Sequence, residues 1–172
     1  MVVLAITACQ KELTVENAGT GTGSGGGGGA TPDTAYYIKF KLNGVAQDYR
    51  TTATALKVSF GAPVNIKAIT VQARATSAIQ PAIGIDVRDA TDIVVNRTYD
   101  ETMVNGTFSS LLYNNAAGET FSSAFTALPS GFECRFSEIT TTYARGTFKG
   151  KTQSIGGTVS DITEGSFYVK IF

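Results

Sequence analysis

Residues 36–49 read YYIKFKLNGVAQDY, and this short stretch decides the fold class. Apolar residues occupy every second position and lysines lie between them: Ile38, Phe40 and Leu42 alternate with Lys39 and Lys41. A period of two is typical of a strand with one buried and one wetted face. Asn43-Gly44 follows, and this pair is preferred in the type I′ turn that joins two antiparallel strands. The stretch therefore predicts a β-hairpin.

The same alternation recurs along most of the chain after residue 35. Its apolar members are Ile69, Val71 and Ala73; Ile83, Ile85 and Val87; Phe132, Cys134 and Phe136; and Gly165, Phe167, Val169 and Ile171. None of these segments keeps the i, i+3, i+4, i+7 spacing of a helix. Strands with one polar face pair as an antiparallel sheet. We therefore predict an all-β domain over residues 35–172, a single antiparallel β-sandwich of about ten strands, with a closed up-and-down or lipocalin-like barrel as the alternative.

Three Gly-[Thr/Ser]-Phe triplets occur, at residues 106–108, 146–148 and 165–167. Their unequal separations exclude a solenoid repeat. We interpret each triplet as the beginning of a strand, where glycine permits a bulge or a close backbone approach and the phenylalanine enters the core. The alternative is that the hydroxyl residues contact a ligand.

The composition excludes several classes of function. The chain has 14 basic and 14 acidic residues and no histidine. Balanced charge gives no general attraction to nucleic acid or to an anionic membrane. Without histidine, zinc sites and Ser-His-Asp or Cys-His machinery are excluded, and we expect neither a cofactor nor catalysis. Cys134 falls on an apolar face, which predicts a buried core residue rather than a reactive thiol.

Cys9 follows an apolar run, Val2 to Ile6, and two small residues, and this pattern resembles the lipobox of bacterial lipoprotein precursors. The resemblance implies that residues 1–8 are a residual signal peptide and that Cys9 is lipidated. Two or three acyl chains give a stable membrane anchor. The run before Cys9 is short and carries no basic residue, which a start site upstream of Met1 would explain. The alternative is an incidental cysteine.

The sequence CQKEL, residues 9–13, resembles the signal that routes Bacteroidetes lipoproteins to the outer face of the outer membrane. The glycine-rich residues 17–33 have almost no apolar side chain to bury, which predicts a flexible tether. Residues 9–34 are thus expected to hold the domain about 30 Å from the anchor. A glycine loop that cradles phosphate would need a strand before it and a helix after it, and neither is visible.

The segments FSEITTTYARGTFKGKT (136–152) and ITEGSFYVKI (162–171) resemble the C-terminal half of a family of uncharacterised Bacteroidetes lipoproteins. In that family, a strand ending in an acid-isoleucine pair precedes a Gly-Thr-Phe strand and a closing Gly-[Ser/Glu]-Phe-x-Val-Lys strand. RTYDE, residues 97–101, is similar to the family's mid-chain turn. The resemblance implies a lipid-anchored β-domain without established activity, so it carries over no catalytic residue.

Carboxylates are the only groups through which this composition could supply a metal site or acid-base catalysis. They are densest in two segments, with Asp86, Asp89 and Asp92 in the first and Asp100 and Glu101 in the second. The three aspartates of the first segment could hold calcium, although their spacing is not that of an EF-hand. A pair of turn carboxylates across a cleft could serve a glycoside hydrolase. The interpretation we favour is solvated hairpin tips with surface ion pairs to Arg88 and Arg97.

Tyr37, Tyr143 and Tyr168 lie on the polar sides of their predicted strands. Because aromatic rings stack on sugar faces, these tyrosines are candidate contacts for a surface glycan. The alternative is that they are ordinary cross-strand partners.

Two kinds of modification signal occur. Thr34, in Asp33-Thr34-Ala35, resembles the O-glycosylation sequon of these bacteria and lies in the predicted tether. The N-glycosylation sequons at Asn96 and Asn105 are expected within strands and are discounted.

Together these features predict an outer-membrane lipoprotein that faces the cell exterior and has a non-catalytic structural, assembly or extracellular-interaction role. A glycan-binding accessory module is the alternative, followed by a glycoside hydrolase that uses turn carboxylates. The expected partners are outer-membrane lipid, through Cys9, and a surface glycan or another outer-membrane protein.

Overall fold

The computed structural model describes residues 36–76, 78, 80–126 and 129–172. These residues form eleven strands and one short 3₁₀ turn, Ser123–Phe125. The strands are β1 (Tyr37–Leu42), β2 (Val45–Tyr49), β3 (Thr51–Phe60), β4 (Ile66–Arg74), β5 (Ala82–Asp89), β6 (Thr98–Asp100), β7 (Ser110–Asn114), β8 (Thr120–Ser122), β9 (Glu133–Ile139), β10 (Tyr143–Ser154) and β11 (Val159–Ile171). This part of the chain contains no helix long and apolar enough to cross a membrane.

The all-β class predicted from the alternation is confirmed, and hydrogen bonds connect the eleven strands into one sheet. The long strands β10 and β11 pair along most of their length and form the centre of a first layer. β1 and β2 extend this layer on one side, and β9 and β6 extend it on the other. β3, β4, β5, β7 and β8 pair in that order as a second layer.

The two layers are joined at two corners. Lys170 of β11 pairs with Thr54 of β3, and Ser154 of β10 pairs with Phe121 of β8. Because β10 and β11 are antiparallel, these contacts lie at opposite ends of the β10–β11 pair. The fold therefore combines the layers of a sandwich with a closed, barrel-like circuit of strands.

The prediction of a purely antiparallel sheet is wrong at one pairing, because β3 runs parallel to β11. The cause lies in the connection before β3. β2 already runs in the direction of β11, since β1 is antiparallel to both. Only Arg50 separates β2 from β3, so β3 keeps this direction when it reaches the end of β11.

The predicted hairpin of residues 36–49 is confirmed. Asn43 and Gly44 both have positive φ, 49° and 83°, as a type I′ turn requires. Ile38 and Phe40 are buried, whereas Lys39 is exposed. The alternation therefore assigned the inner face of β1 correctly.

Aromatic rings fill the space between the layers. Phe40 of β1 lies near the centre, with its ring centroid 5.2 Å from Tyr49, 6.4 Å from Tyr113 and 6.2 Å from Phe148. Tyr113 belongs to β7, so this cluster connects the two layers. Cys134 is fully buried in the same core, as its position on an apolar face predicted.

The Gly-[Thr/Ser]-Phe triplets do not begin strands, contrary to the prediction. Gly146 lies inside β10 and Gly165 lies inside β11, and both are in close contact with a neighbouring strand, as expected of a glycine at such a position. Gly106 instead lies in a tight turn with φ of 78°. The same tripeptide therefore serves two different local structures.

Candidate functional site

Side chains on the outer face of the first layer form rows because the strands are in register. In one row Tyr37 of β1 lies opposite Tyr168 of β11, which in turn lies opposite Arg145 of β10. Tyr143 is two residues from Arg145 and therefore on the same face of β10. The structure thus brings together the three tyrosines that the sequence placed on separate strands.

Tyr168 is at the centre of this tyrosine cluster, which comprises Tyr36, Tyr37, Tyr143 and Tyr168. Its ring centroid lies 5.0 Å from Tyr36, 6.4 Å from Tyr37 and 5.3 Å from Tyr143. The corresponding angles between ring planes are 51°, 67° and 79°, so the cluster is not a flat platform. Sequence reasoning missed Tyr36, because the alternation assigns its side chain to the core side of β1. The Tyr36 side chain is partly buried against the core, and its ring also contacts that of Tyr168.

Basic side chains lie over these rings. The Arg145 guanidinium is 4.4 Å from the ring centroid of Tyr168 and 5.5 Å from that of Tyr143. Lys39 and Arg50 lie 4.9 Å and 5.9 Å from the ring centroid of Tyr37. Cation–π attraction of this kind favours these relative positions of the rings and the cations.

Glu138 of β9 completes the row beside Arg145. The hydroxyl of Tyr143 donates a hydrogen bond of 2.5 Å to Oε1 of Glu138, and this bond is the main reason that the pKa of Tyr143 is raised. The pKa of Arg145 is also raised, chiefly through its interaction with the Tyr168 side chain. At neutral pH the row therefore presents the uncharged phenol of Tyr143 beside the guanidinium of Arg145, which also pairs with Glu138 at 3.9 Å.

A shallow cleft of about 510 Å³ adjoins the tyrosine cluster on the same face. Thr147 and Ser166, which lie opposite each other on β10 and β11, supply hydroxyls to its floor. They are the next outward residues along the strands from Arg145 and Tyr168. The charged and polar side chains around this floor are Thr98, Glu133, Arg135, Lys149 and Glu164.

The three aspartates of the calcium hypothesis do not converge. Asp86 is on the outer face of β5, where it accepts a hydrogen bond of 2.8 Å from Thr70 and pairs with Arg88 at 2.5 Å. Asp89 is buried, and Asp92 is exposed in the following loop. Across residues 36–172, wherever positions are described, no group of three His, Cys, Asp or Glu side chains could hold a metal ion.

Asp89 was expected at a solvated hairpin tip. This expectation is wrong, because only 4% of the residue is exposed. Its carboxylate accepts hydrogen bonds of 2.7 Å from the amide and the hydroxyl of Thr91 and pairs with Arg97 at 2.7 Å. Burial opposes its ionisation, but these contacts together outweigh burial and lower the pKa of Asp89. Hydrogen bonds from Thr102 likewise lower the pKa of Asp100. The general acid of a glycoside hydrolase needs a raised pKa, whereas the pKa values of Asp89 and Asp100 are lowered.

The segment 97–101, expected to be a turn, contains strand β6 instead. Tyr99 of β6 pairs with Cys134 of β9 and is buried. These tertiary contacts keep the segment in an extended conformation. Glu101 accepts hydrogen bonds from the amide of Ser130, at 2.8 Å, and from the Ser130 hydroxyl. Its carboxylate therefore fastens the loop before β9.

The predicted modification sites have different outcomes. Cys9 and Thr34 lie outside the described residues. Asn96 and Asn105 lie in turns rather than in strands, with φ of 64° and 48°. Asparagine tolerates this left-handed conformation, which is why it occurs in such turns.

A second cleft, of about 490 Å³, lies on the outer face of the second layer around Gly84. No aromatic side chain lines it, and its carboxylate, Asp86, is already bonded to Thr70 and Arg88. The tyrosine cluster and its adjoining cleft are therefore the better candidate site.

Comparison of the chain with protein-family models, with curated proteins and with solved structures finds no match.

Proposed function

We propose that this chain is a non-catalytic cell-surface domain that binds an extracellular glycan on the outer face of its first layer. The observation that carries the proposal is the convergence of Tyr37, Tyr143 and Tyr168 beside a cleft with a hydroxyl floor. Tyrosine rings offer apolar faces to the C–H groups of a sugar, and the hydroxyls offer directional hydrogen bonds.

The inclination of the rings favours a particular form of glycan. Coplanar rings would suit a flat crystalline surface, whereas inclined rings suit a single polysaccharide chain that twists along the sheet. Arg145 lies closest to Tyr168, at 4.4 Å, whereas the cations over Tyr37 and Tyr143 lie 4.9 Å or more from the ring centroids. We therefore assign sugar contact to the half-buried rings of Tyr37 and Tyr143. Contacts with neighbouring side chains restrict these two rings in the free protein, so less side-chain entropy is lost when a sugar binds.

The test is binding to a panel of soluble polysaccharides, measured by affinity electrophoresis and titration calorimetry. The full chain carrying Cys9→Ser serves as the parent protein, because it cannot be acylated. We expect Tyr37→Ala and Tyr143→Ala to weaken binding about tenfold each, as loss of an aromatic anchor does. Phe60→Ala is the matched control, since Phe60 is 48% exposed but lies on the second layer. The proposal is overturned if no polysaccharide binds, or if the tyrosine variants bind like the parent.

The proposed location rests on the sequence around Cys9, which resembles a lipobox. Intact mass and detergent partition of the natively expressed chain, beside Cys9→Ser, test it. We expect the unsubstituted chain to be cleaved before Cys9, to carry acyl mass and to enter the detergent phase. If both proteins remain unprocessed and in the aqueous phase, the anchor is wrong. The same mass spectrum tests O-glycosylation, because Thr34→Ala would remove any glycan mass attached there.

An assembly role at the cell surface is the second candidate. It is favoured by apolar side chains on two linked loops, with Val64 43% and Met103 66% exposed. The Asn105 amide links these loops by donating a hydrogen bond of 3.2 Å to the carbonyl of Val64. Sedimentation velocity over a range of concentrations tests self-association, which Met103→Asp would abolish if this surface mediates it. A parent chain that stays monomeric throughout argues against self-assembly.

A further inference from the structure

We infer that the glycan is acidic and that Arg135 binds its carboxylate or sulfate group. This inference rests on the proposed glycan-binding function and names the chemical class of the ligand.

The acidic residues in the cleft are paired with lysines, whereas Arg135 is not paired with an acid among the described residues. Glu133 is neutralised by Lys149 at 3.2 Å, and Glu164 is neutralised by Lys41 at 2.7 Å. Arg135, on the same cleft, forms no ion pair with any carboxylate in the described part of the chain. Its side chain makes one neutral hydrogen bond there, of 3.3 Å, to the amide oxygen of Asn96. Among the charged residues that line the cleft, Arg135 is therefore the one without an ion-pair partner in the described part of the chain.

The surroundings of the tyrosine cluster carry a surplus of positive charge. Basic residues outnumber acidic ones there by two: Lys39, Arg50, Arg145 and Lys170 against Asp48 and Glu138. Residues 36–172 together contain 13 basic and 11 acidic residues. The positive surplus of these residues is therefore concentrated at the tyrosine cluster, where it attracts anions.

The row that contains Arg135 also contains two hydroxyl side chains. Thr147 lies directly opposite Arg135, and Ser166 lies opposite Thr147. A guanidinium presents its N–H groups as a planar fork that matches both oxygens of a carboxylate or sulfate. The neighbouring hydroxyls can bond the remaining acceptors of the same sugar. An acidic unit at Arg135 would place adjacent units of the chain over the tyrosines of the next row.

The test compares three probes with one backbone: dextran, carboxymethyl-dextran and dextran sulfate. Binding to the Cys9→Ser chain is measured by titration calorimetry at low and high NaCl. We expect the two acidic derivatives to bind at least about tenfold more tightly than dextran and to weaken as salt rises. Arg135→Gln should reduce their affinity toward that of dextran, and Arg135→Lys should restore it in part. Lys57→Gln is the control, because it removes an exposed charge from the second layer.

The outcomes separate the inference from the proposed function. Equal affinity for all three probes, or equal losses in Arg135→Gln and Lys57→Gln, overturns the acidic ligand. Tyrosine-dependent binding of dextran alone leaves the glycan-binding function intact and removes only the inference. If neither these probes nor the polysaccharide panel binds, both fall. The derivative that loses more affinity in Arg135→Gln identifies the group recognised, carboxylate or sulfate, and thermal melts of each variant verify that it is folded.

Discussion

Gly146 of β10 lies directly opposite Phe167 of β11, and two residues further along Phe148 lies opposite Gly165. A Cβ added at Gly146 would lie 2.5 Å from Cζ of Phe167, and one added at Gly165 would lie 2.7 Å from Cδ1 of Phe148. Each glycine thus leaves space for the ring on the opposite strand. This reciprocal exchange of a glycine for a ring lets both phenylalanines enter the core at the centre of the sheet.

We predict that Gly146→Ala lowers the free energy of unfolding by about 1–3 kcal/mol, as overpacking does. The new methyl group would also lie 2.4 Å from the backbone carbonyl oxygen of Arg135, which cannot rotate away. Urea unfolding followed by circular dichroism measures the change. Gly61→Ala is the control, since a Cβ there meets no atom within 4 Å, and we expect a change within about 0.5 kcal/mol. Equal effects of the two substitutions would contradict the packing argument.

Asp89→Asn is predicted to destabilise the fold by about 1–3 kcal/mol at pH 7, because a buried charged hydrogen-bond acceptor is lost. The fold lowers the pKa of Asp89, so its contribution is present above the unfolded pKa of about 3.9 and disappears as pH falls through the folded pKa. The difference from the parent chain should therefore shrink below about pH 4. Urea unfolding at pH 7 and at pH 3 checks this.

Asp92→Asn is the matched control for that experiment, because Asp92 is exposed three residues away. Its effect should stay within about 0.5 kcal/mol at both pH values. If Asp89→Asn costs as much at pH 3 as at pH 7, the ionised carboxylate is not what stabilises this loop.

Cys134 is predicted to be unreactive toward a thiol reagent in the folded protein. Burial raises the pKa of its thiol, so the reactive thiolate does not form at neutral pH. Burial also keeps the reagent from reaching the sulfur. In the Cys9→Ser chain, Cys134 is the only cysteine, and release of thionitrobenzoate reports on it alone. The reaction should become complete only in denaturant. Rapid reaction of the native chain would show that the core opens at β9.

The fold class could be predicted from the sequence because burial of a strand is a local pattern. Ile83, Ile85 and Val87 alternate in the chain and are buried in the structure. The turn at Asn43-Gly44 was equally local, since both residues tolerate positive φ. The parallel β3–β11 pairing could not be predicted in this way. β3 and β11 lie far apart in the chain, and neither local pattern identifies the other strand as its partner.

The candidate site could be predicted only in part, for the same reason. Alternation placed Tyr37, Tyr143 and Tyr168 on outer faces, but their convergence depends on the register of three strands. The unpaired state of Arg135 depends on register as well, since the neighbouring acids bind other cations. Asp89 was misjudged because its sequence neighbours suggest a turn, while its burial comes from contacts such as that with Arg97.

The hydrogen bond from Tyr143 to Glu138 leads to a final prediction. It favours the neutral phenol, so the pKa of Tyr143 is raised, and the stabilisation from this bond is lost only as pH rises through that pKa. We predict that Glu138→Gln lowers the pKa of Tyr143 toward the ordinary tyrosine value of about 10. NMR titration of chains labelled at the tyrosine ring carbons measures it. Glu119→Gln, on the loop between β7 and β8, should leave the titration of Tyr143 unchanged. Should Glu138→Gln also leave it unchanged, Glu138 does not fix the Tyr143 ring, and the preorganised row loses one of its supports.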